Sequence, residues 1–256
     1  MNWQKRVVLI TGASSGIGAA LALSLAQRGA TLGLLARRAE MLEDLAVQVT
    51  AAGGQALALP ADVRDAAAVQ TAADTLRARY GHIDTAVINA GIGGKTTDGK
   101  QLSAEIVGNI ITVNLIGAVN AIAAVVPQMV TRGSGQVVAI SSLSAYRGLP
   151  KSGGYCASKA GMSALFESLR VDTAGTGVDV SIIHPGFIKT PLTSGRAAKM
   201  PFLLELEDGT AKILRAIEQR KKSYAFPWQL ATLVRLAMIL PIPVYDFIVA
   251  RNNYRE

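Results

Sequence analysis

Six short, almost wholly apolar runs recur along this chain, and helix-length amphipathic stretches separate them. The runs cover residues 7–10, 31–35, 56–59, 86–88, 136–140 and 178–183. A strand with one wet face alternates polar and apolar residues, whereas a strand buried on both faces does not. Stretches with helical periodicity lie between them at 17–28, 39–52, 66–80, 104–131 and 155–174. Gly29, Gly53, Gly81 and Gly175 stand where four of these helices end and a left-handed residue is needed. Repeated strand–helix alternation predicts an α/β fold: a doubly wound parallel sheet with helices on both faces. No tandem repeat, low-complexity tract or linker interrupts the chain before residue 190, so one domain is expected over 1–226. Residues 227–256 read as an apolar, basic helical extension of that domain. Pro227 starts a first short helix, and Pro241 and Pro243 stop it before a second begins at Val244. Residues 191–209, with Pro191, Gly195 and Pro201, read as a loop with room for a short helix.

Composition narrows the function. Half of the 256 residues are hydrophobic and 17% are charged, enough apolar material for a continuous core. No charge-free apolar run of 20 residues is evident, so no spanning helix is expected. The N-terminus lacks the long apolar region and small-residue cleavage site of a secretory signal. A single cysteine, Cys156, precludes an internal disulfide and fits a reducing compartment, so a cytoplasmic protein is expected. The net charge of +8 is concentrated at the end: residues 212–256 hold eight basic and three acidic residues. Few aromatics and no long Lys/Arg run argue against nucleic acid as a partner. Two isolated histidines and one cysteine leave no plausible metal site.

The first strand runs into Thr11-Gly12-Ala13-Ser14-Ser15-Gly16-Ile17-Gly18, and a helix follows at once. Glycines here permit a tight turn and close backbone approach to a pyrophosphate, and the helix N-terminus offers free N–H groups and positive dipole. This is the arrangement of a Rossmann-type dinucleotide fold. The second strand ends at Leu35-Ala36, with Arg37-Arg38 after it. An acidic residue at such a strand end would bind the ribose hydroxyls of NAD and repel a 2′-phosphate. Alanine followed by arginines fits that phosphate through charge-assisted bonds, so NADP is the expected cofactor.

At this point the chain resembles the short-chain dehydrogenase/reductase family in its short single-domain form, over about residues 6–190. The segment 11–18 matches the family's Thr-Gly-x-x-x-Gly-x-Gly, with Gly12, Ser14, Ser15, Gly16, Ile17 and Gly18 as implied cofactor contacts. Asp62-Val63 matches its adenine-contacting pair, and Asn89-Ala90-Gly91 its Asn-Ala-Gly after the fourth strand. Asn114 stands where the family has its catalytic asparagine. Ser142 lies thirteen positions before Tyr155, and Tyr155-Cys-Ala-Ser-Lys159 matches Tyr-x-x-x-Lys. Pro185, Gly186, Ile188 and Thr190 belong to the segment that the family places beside the nicotinamide. A sheet order of 3-2-1-4-5-6-7 follows from the resemblance.

The residue types suit the implied chemistry. Tyr155 and Lys159 are four apart and share one helix face. A lysine ammonium favours the phenolate of a neighbouring tyrosine, so Tyr155 can exchange a proton with a carbonyl or alcohol oxygen. Tyr155 and Lys159 are also implied cofactor contacts. Ser142 is implied to hydrogen-bond the same oxygen; Ser141 is its rival by type alone. Asn114 is implied to hold a water linking Lys159 to solvent. Cys156 reads as a packing residue and His82 as exposed, while His184 lies beside the expected nicotinamide pocket. Phe202, Leu203, Leu204 and Leu206 are expected to form an apolar lid, which suits a hydrophobic small-molecule carbonyl or alcohol.

The resemblance stops at the tail. Relatives with a glycine-rich end build a tetramer there, but this chain has Ser223-Tyr224-Ala225-Phe226-Pro227-Trp228, compatible with a last short strand. A homodimer or higher homo-oligomer through the helices near 104–131 and 155–174 is expected. The extension is expected to cap the substrate entrance, its apolar surface facing either protein or a membrane interface. Two other functions stay open: a catalytically silent cofactor-binding regulator or scaffold on the same fold, against which the full Asn114, Ser142, Tyr155 and Lys159 set speaks, and an isomerase or dehydratase on the related longer fold.

Overall fold

The computed structural model describes residues 2–93, 102–194 and 200–251. Its strands are β1 Val7–Thr11, β2 Thr31–Ala36, β3 Gln55–Pro60, β4 Thr85–Ile88, β5 Gly135–Ile140, β6 Val178–Pro185 and β7 Ser223–Phe226. All seven pair in parallel, in the order β3-β2-β1-β4-β5-β6-β7. The helices are α1 Gly16–Ala26, α2 Ala39–Ala51, α3 Ala66–Tyr80, α4 Ala104–Ile111, α5 Gly117–Arg132, α6 Gly153–Asp172, α7 Leu206–Glu218, α8 Trp228–Ile239 and α9 Ile242–Arg251, with a π-helical turn at Thr112–Ile116 and a 3-10 turn at Leu143–Ala145.

The uniform apolarity of the central strands has the expected cause: side chains alternate between two cores. Val7 and Leu9 of β1 enter a cluster with Val69, Ala73 and Leu76 of α3, Ala121 and Val125 of α5, and Met162 and Phe166 of α6. Val8 and Ile10 enter a second cluster with Leu21 and Leu25 of α1, Leu42 and Val49 of α2, and Ile213 and Ile217 of α7. A one-residue slip of register would exchange the two sets, so the pairing Ile10 opposite Leu34 and Val87 is fixed by burial on both faces.

Three differences from the sequence reading have physical causes. The helix expected over 104–131 is one run, Ala104–Arg132, broken by a π-helical turn at Thr112–Ile116. That run of 29 residues is long and apolar enough to cross a bilayer by length and composition, so the expectation that no segment is does not hold. Its apolarity serves the core, with Ala118, Ala121, Ile122 and Val125 buried on the sheet. Helix α7 begins at the end of the segment read as a loop with room for a short helix and runs on through residues to which no element is assigned. It buries Ile213, Leu214, Ala216 and Ile217 and carries Glu207 and Asp208 in its first turn, where carboxylates favour a helix. The last helix begins at Ile242 and so contains Pro243 in its first turn, where a missing N–H costs nothing.

Helices α8 and α9 follow β7 directly. One side of α8 packs inward through Ala231. The other leaves Trp228, Leu233, Leu236 and Ile239 exposed, and α9 exposes Ile242, Phe247 and Ile248. This is the surface that sequence assigns to lipid or to a protein partner.

Candidate active site

The chain runs outward from β1 and from β4 into neighbouring turns, because the sheet order reverses between these two strands. Such a switch point opens a crevice at the carboxyl ends of the strands. A cleft of about 590 Å³ lies there. Its floor is the turn after β1. Thr11 Oγ1 accepts hydrogen bonds from the N–H groups of Asn89 and Ala90, both at 3.0 Å. Asn89 Nδ2 donates back to the carbonyls of Thr11 and Gly12. These bonds press the two turns together so closely that only glycine fits. A Cβ on Gly12 (φ 67°) would lie 2.7 Å from Ala90 Cα, and one on Gly18 would lie 2.3 Å from the Gly12 carbonyl oxygen.

Helix α1 therefore begins at the cleft. Its N-cap, Ser15, makes no side-chain capping bond, and its first turn has no acidic residue. The positive end of the helix is open to an anion. Gly12, Ser14, Ser15, Gly16 and Ile17 line the cleft. Gly18 does not line it; there the missing side chain lets α1 pack on the turn. Ala36, Arg37 and Arg38 line the adjoining wall. Arg38 Nη2 donates to Ser14 Oγ at 2.8 Å and to Ser15 Oγ at 3.1 Å, bracing the turn. Asp62 and Val63 form the next part of the wall. Arg64, which the sequence reading missed, donates to Asp62 Oδ1 from Nε at 3.1 Å and to Asp62 Oδ2 from Nη2 at 2.6 Å. That bond, with Arg37 contributing through space, holds the Asp62 carboxyl below its ordinary range.

Ser142, Tyr155 and Lys159 meet further along the same cleft. Ser142 caps a 3-10 turn at Leu143–Ala145: its Oγ accepts from Ser144 N–H at 3.1 Å. That leaves its own proton free to be donated. Ser141 Oγ instead binds the Lys159 carbonyl and Ser163 Oγ within the protein, which separates the two serines on geometry. Tyr155 stands in the first turn of α6, one turn before Lys159. Lys159 is buried; its Nζ donates to the Ile140 carbonyl at 2.8 Å and lies 5.9 Å from the centre of the Tyr155 ring. Burial lowers its pKa from 10.5 to about 8. An ammonium has three donors; Ile140 takes one, and Met162 Sδ lies 4.0 Å from Nζ as a weak second acceptor.

Asn114 departs from expectation in one respect. It sits in the π-helical turn behind the cleft and does not line it. Its Oδ1 accepts from Ile92 N–H at 2.8 Å, and its Nδ2 donates to the Ile92 carbonyl and Ser158 Oγ, each at 3.0 Å. A Cβ on Gly91 would lie 3.3 Å from Asn114 Oδ1 and 3.5 Å from Lys159 Nζ, so both side chains reach the bare face of Gly91. Asn89, Ala90, Gly91, Pro185, Gly186, Ile188 and Thr190 all line the cleft as expected.

The far end is built differently from the sequence expectation. Phe202, Leu203, Leu204 and Leu206 do not line the cleft. Phe202 and Leu203 are exposed, and Leu204 bridges to Ile188 beside the second core. The apolar wall comes instead from Leu143, Leu149 and Phe187, and from Leu230, Val234, Ala237 and Tyr245 of α8 and α9. His184 is buried beside Tyr146, at 4.9 Å between ring centres, and does not line the cleft. Burial lowers its pKa to about 4. Cys156 is buried, which raises its thiol pKa. His82 is half-exposed and paired with Asp84 at 3.2 Å.

Comparison with known proteins agrees with this geometry. A sequence model described as short chain dehydrogenase matches residues 6–201. An uncharacterized oxidoreductase of Myxococcus xanthus is 44% identical over 241 residues, covering 94% of this chain and 95% of that protein. The crystal structure of a levodione reductase superposes with a TM-score of 0.83 at 27% identity, over 90% of this chain and 99% of the other. A 3-ketoacyl-ACP reductase from Sinorhizobium meliloti 1021 gives a TM-score of 0.78 at 32% identity, over 86% and 96%.

Proposed function

Because the chain belongs to the short-chain dehydrogenase family, matched over residues 6–201, and is an oxidoreductase with a nicotinamide cofactor, we propose that it uses NADP and interconverts a hydrophobic carbonyl compound and its alcohol. One observation carries the reading. The open phosphate turn at residues 12–17 and the Ser142–Tyr155–Lys159 group lie in one continuous cleft, so a dinucleotide and a small carbonyl compound have room to meet.

The nicotinamide, when bound, supplies or accepts the hydride. The residues present fit the whole group. The α1 N-terminus and the close-packed Gly12 turn suit the pyrophosphate, Asp62 and Val63 the adenine, and Pro185, Gly186, Ile188 and Thr190 the carboxamide. Ala36 leaves room at the strand end, and Arg37, at the cleft wall with Asp62 nearby, supplies the charge that a 2′-phosphate needs. Arg38 acts secondarily, since its guanidinium already braces Ser14 and Ser15.

In the reductive direction Tyr155 gives its phenolic proton to the substrate oxygen, while Ser142 Oγ donates a hydrogen bond to it. The buried Lys159 ammonium stabilises the phenolate left behind, and the N–H that neither Ile140 nor the weak Met162 Sδ contact holds is available to the cofactor ribose. Asn114 acts as a positioning residue: it fixes Ile92 and so the turn carrying Gly91, beside Lys159. In the oxidative direction the proton moves the other way. The levodione reductase and 3-ketoacyl-ACP reductase similarities suit this substrate class. We also propose a homodimer through α4–α5 and α6, supported by Ile106, Ile116, Val119 and Val130, which stay exposed on the first of these. The test is a panel of straight-chain and cyclic ketones with NADPH and NADH, read by nicotinamide absorbance. Consumption of NADPH in preference to NADH is expected; a strong preference for NADH refutes the cofactor assignment, and no consumption with either refutes the reaction.

A further inference from the structure

The C-terminal helices wall the substrate end of the cleft, and one side chain holds them there. Arg147 lies in the segment between Ser142 and Tyr155 and itself lines the cleft. Its Nη1 donates to the carbonyl oxygen of Ala237, to that of Met238 at 3.1 Å and to that of Leu240 at 3.3 Å. These are carbonyls that the end of α8 leaves without an intrahelical partner. A guanidinium at that point also opposes the negative end of the helix dipole. The same guanidinium stacks over the Tyr245 ring of α9, 3.8 Å from its centre. The Tyr245 hydroxyl in turn donates to the carbonyl of Gly148, next to Arg147. Among the described residues no carboxylate pairs with Arg147. Its charge is held by a helix end and an aromatic face, both belonging to the extension.

We propose that Arg147 sets substrate specificity as a positioning residue: by clasping α8 and α9 it fixes the apolar wall of Leu230, Val234, Ala237 and Tyr245, and so the length of carbonyl compound that the cleft binds well. This rests on the reductase reading above. Packing accounts for part of the wall's placement, through buried Ala231 and through Leu230 against Gly186. α8 exposes apolar residues on its outer side, and α9 buries none of its large apolar side chains fully. An extension packed that thinly keeps its place through specific bonds.

The test uses the full-length protein and straight-chain 2-ketones from butanone to dodecan-2-one with NADPH, alongside amide hydrogen exchange of residues 237–250. In Arg147→Ala the exchange of this segment should quicken relative to α1 and α6. The loss in kcat/KM should grow along the series, becoming roughly tenfold larger for the longest ketones than for butanone, since each methylene without its wall costs several-fold. The growth should lie in KM. Arg147→Lys, which can still donate to the α8 carbonyls but lacks the planar stack, should recover part of the chain-length dependence. A uniform loss along the series, or exchange unchanged from wild type, overturns the clasp while leaving the reductase reading intact. A wild-type protein that turns over none of the ketones overturns the reductase reading and this inference with it; cofactor binding measured by NADPH fluorescence then shows which part of the reading failed.

Discussion

Replacing Lys159 with methionine should stabilise the protein at neutral pH, although it removes a residue assigned to the chemistry. Lys159 is buried, and burial lowers its pKa from 10.5 to about 8. A folded-state pKa below the unfolded one means that the native state holds this proton less tightly than the unfolded chain. Between about pH 8 and 10.5 the unfolded state binds the proton and the native state does not, so this group's contribution to stability rises with pH across that window. Below pH 8 the folded protein carries a buried ammonium, which costs about 3 kcal/mol for a displacement of this size. Methionine has a similar length and no charge. It strands the Ile140 carbonyl, which receives the Lys159 bond at 2.8 Å, at a pH-independent cost of about 1–2 kcal/mol. Lys159→Met should thus be roughly 1–2 kcal/mol more stable than wild type at pH 7. That advantage should shrink by about 3 kcal/mol, and reverse, as the pH rises from 8 to 10.5. Urea unfolding of both proteins without cofactor at pH 7 and at pH 10 reads the difference directly, and other titrating groups cancel in it. A stability difference that stays constant over that range refutes the buried-ammonium account.

Arg37→Ala should raise KM for NADPH by at least ~10-fold and change that for NADH little, since a charge-assisted bond to phosphate contributes about 1.5–3 kcal/mol; equal losses would assign Arg37 to the fold. Ser142→Ala should lower kcat by roughly 10²-fold with little change in melting temperature. Ser141→Ala, whose hydroxyl binds Lys159 O and Ser163 Oγ, should lower stability by about 1 kcal/mol and reduce kcat far less. The reverse pattern in kinetics and thermal melts would exchange their roles. Deleting residues 227–256 removes one wall of the cleft and should abolish turnover of hydrophobic ketones. A soluble truncation with full activity would contradict the placement of α8 and α9 in the site.

How much of this was legible in the sequence varied with the kind of signal. The sheet was readable because buried parallel strands are apolar without alternation, and β1, β2 and β4 carry that mark; β3 is apolar though only partly buried, and β6 alternates at Val178-Asp179-Val180-Ser181. The phosphate turn and Tyr155–Lys159 were readable because short motifs fix local geometry. Helix α7 was also present in the pattern, through Ile213, Leu214 and Ile217 and the acidic first turn, but the loop signals of Pro191 and Pro201 masked it. The substrate end was not legible. Nothing in the neighbourhood of Arg147 shows that its guanidinium meets carbonyls ninety residues later, nor that Leu230 rather than Leu203 faces the cleft. Both depend on how the extension folds back, a tertiary relation between distant segments with no local motif. The π-helical turn that carries Asn114 was likewise hidden inside an unbroken helical periodicity.

The central claim is that Tyr155 is the proton-transferring group of a carbonyl reductase. Its most direct test is Tyr155→Phe, with ketone reduction followed by NADPH absorbance and NADPH affinity measured separately by fluorescence titration. A fall in kcat of about 10²–10⁴-fold is expected with cofactor affinity within about twofold of wild type, because only one hydroxyl is lost and the ring keeps its place in α6. Near-normal turnover by this variant would contradict the mechanism.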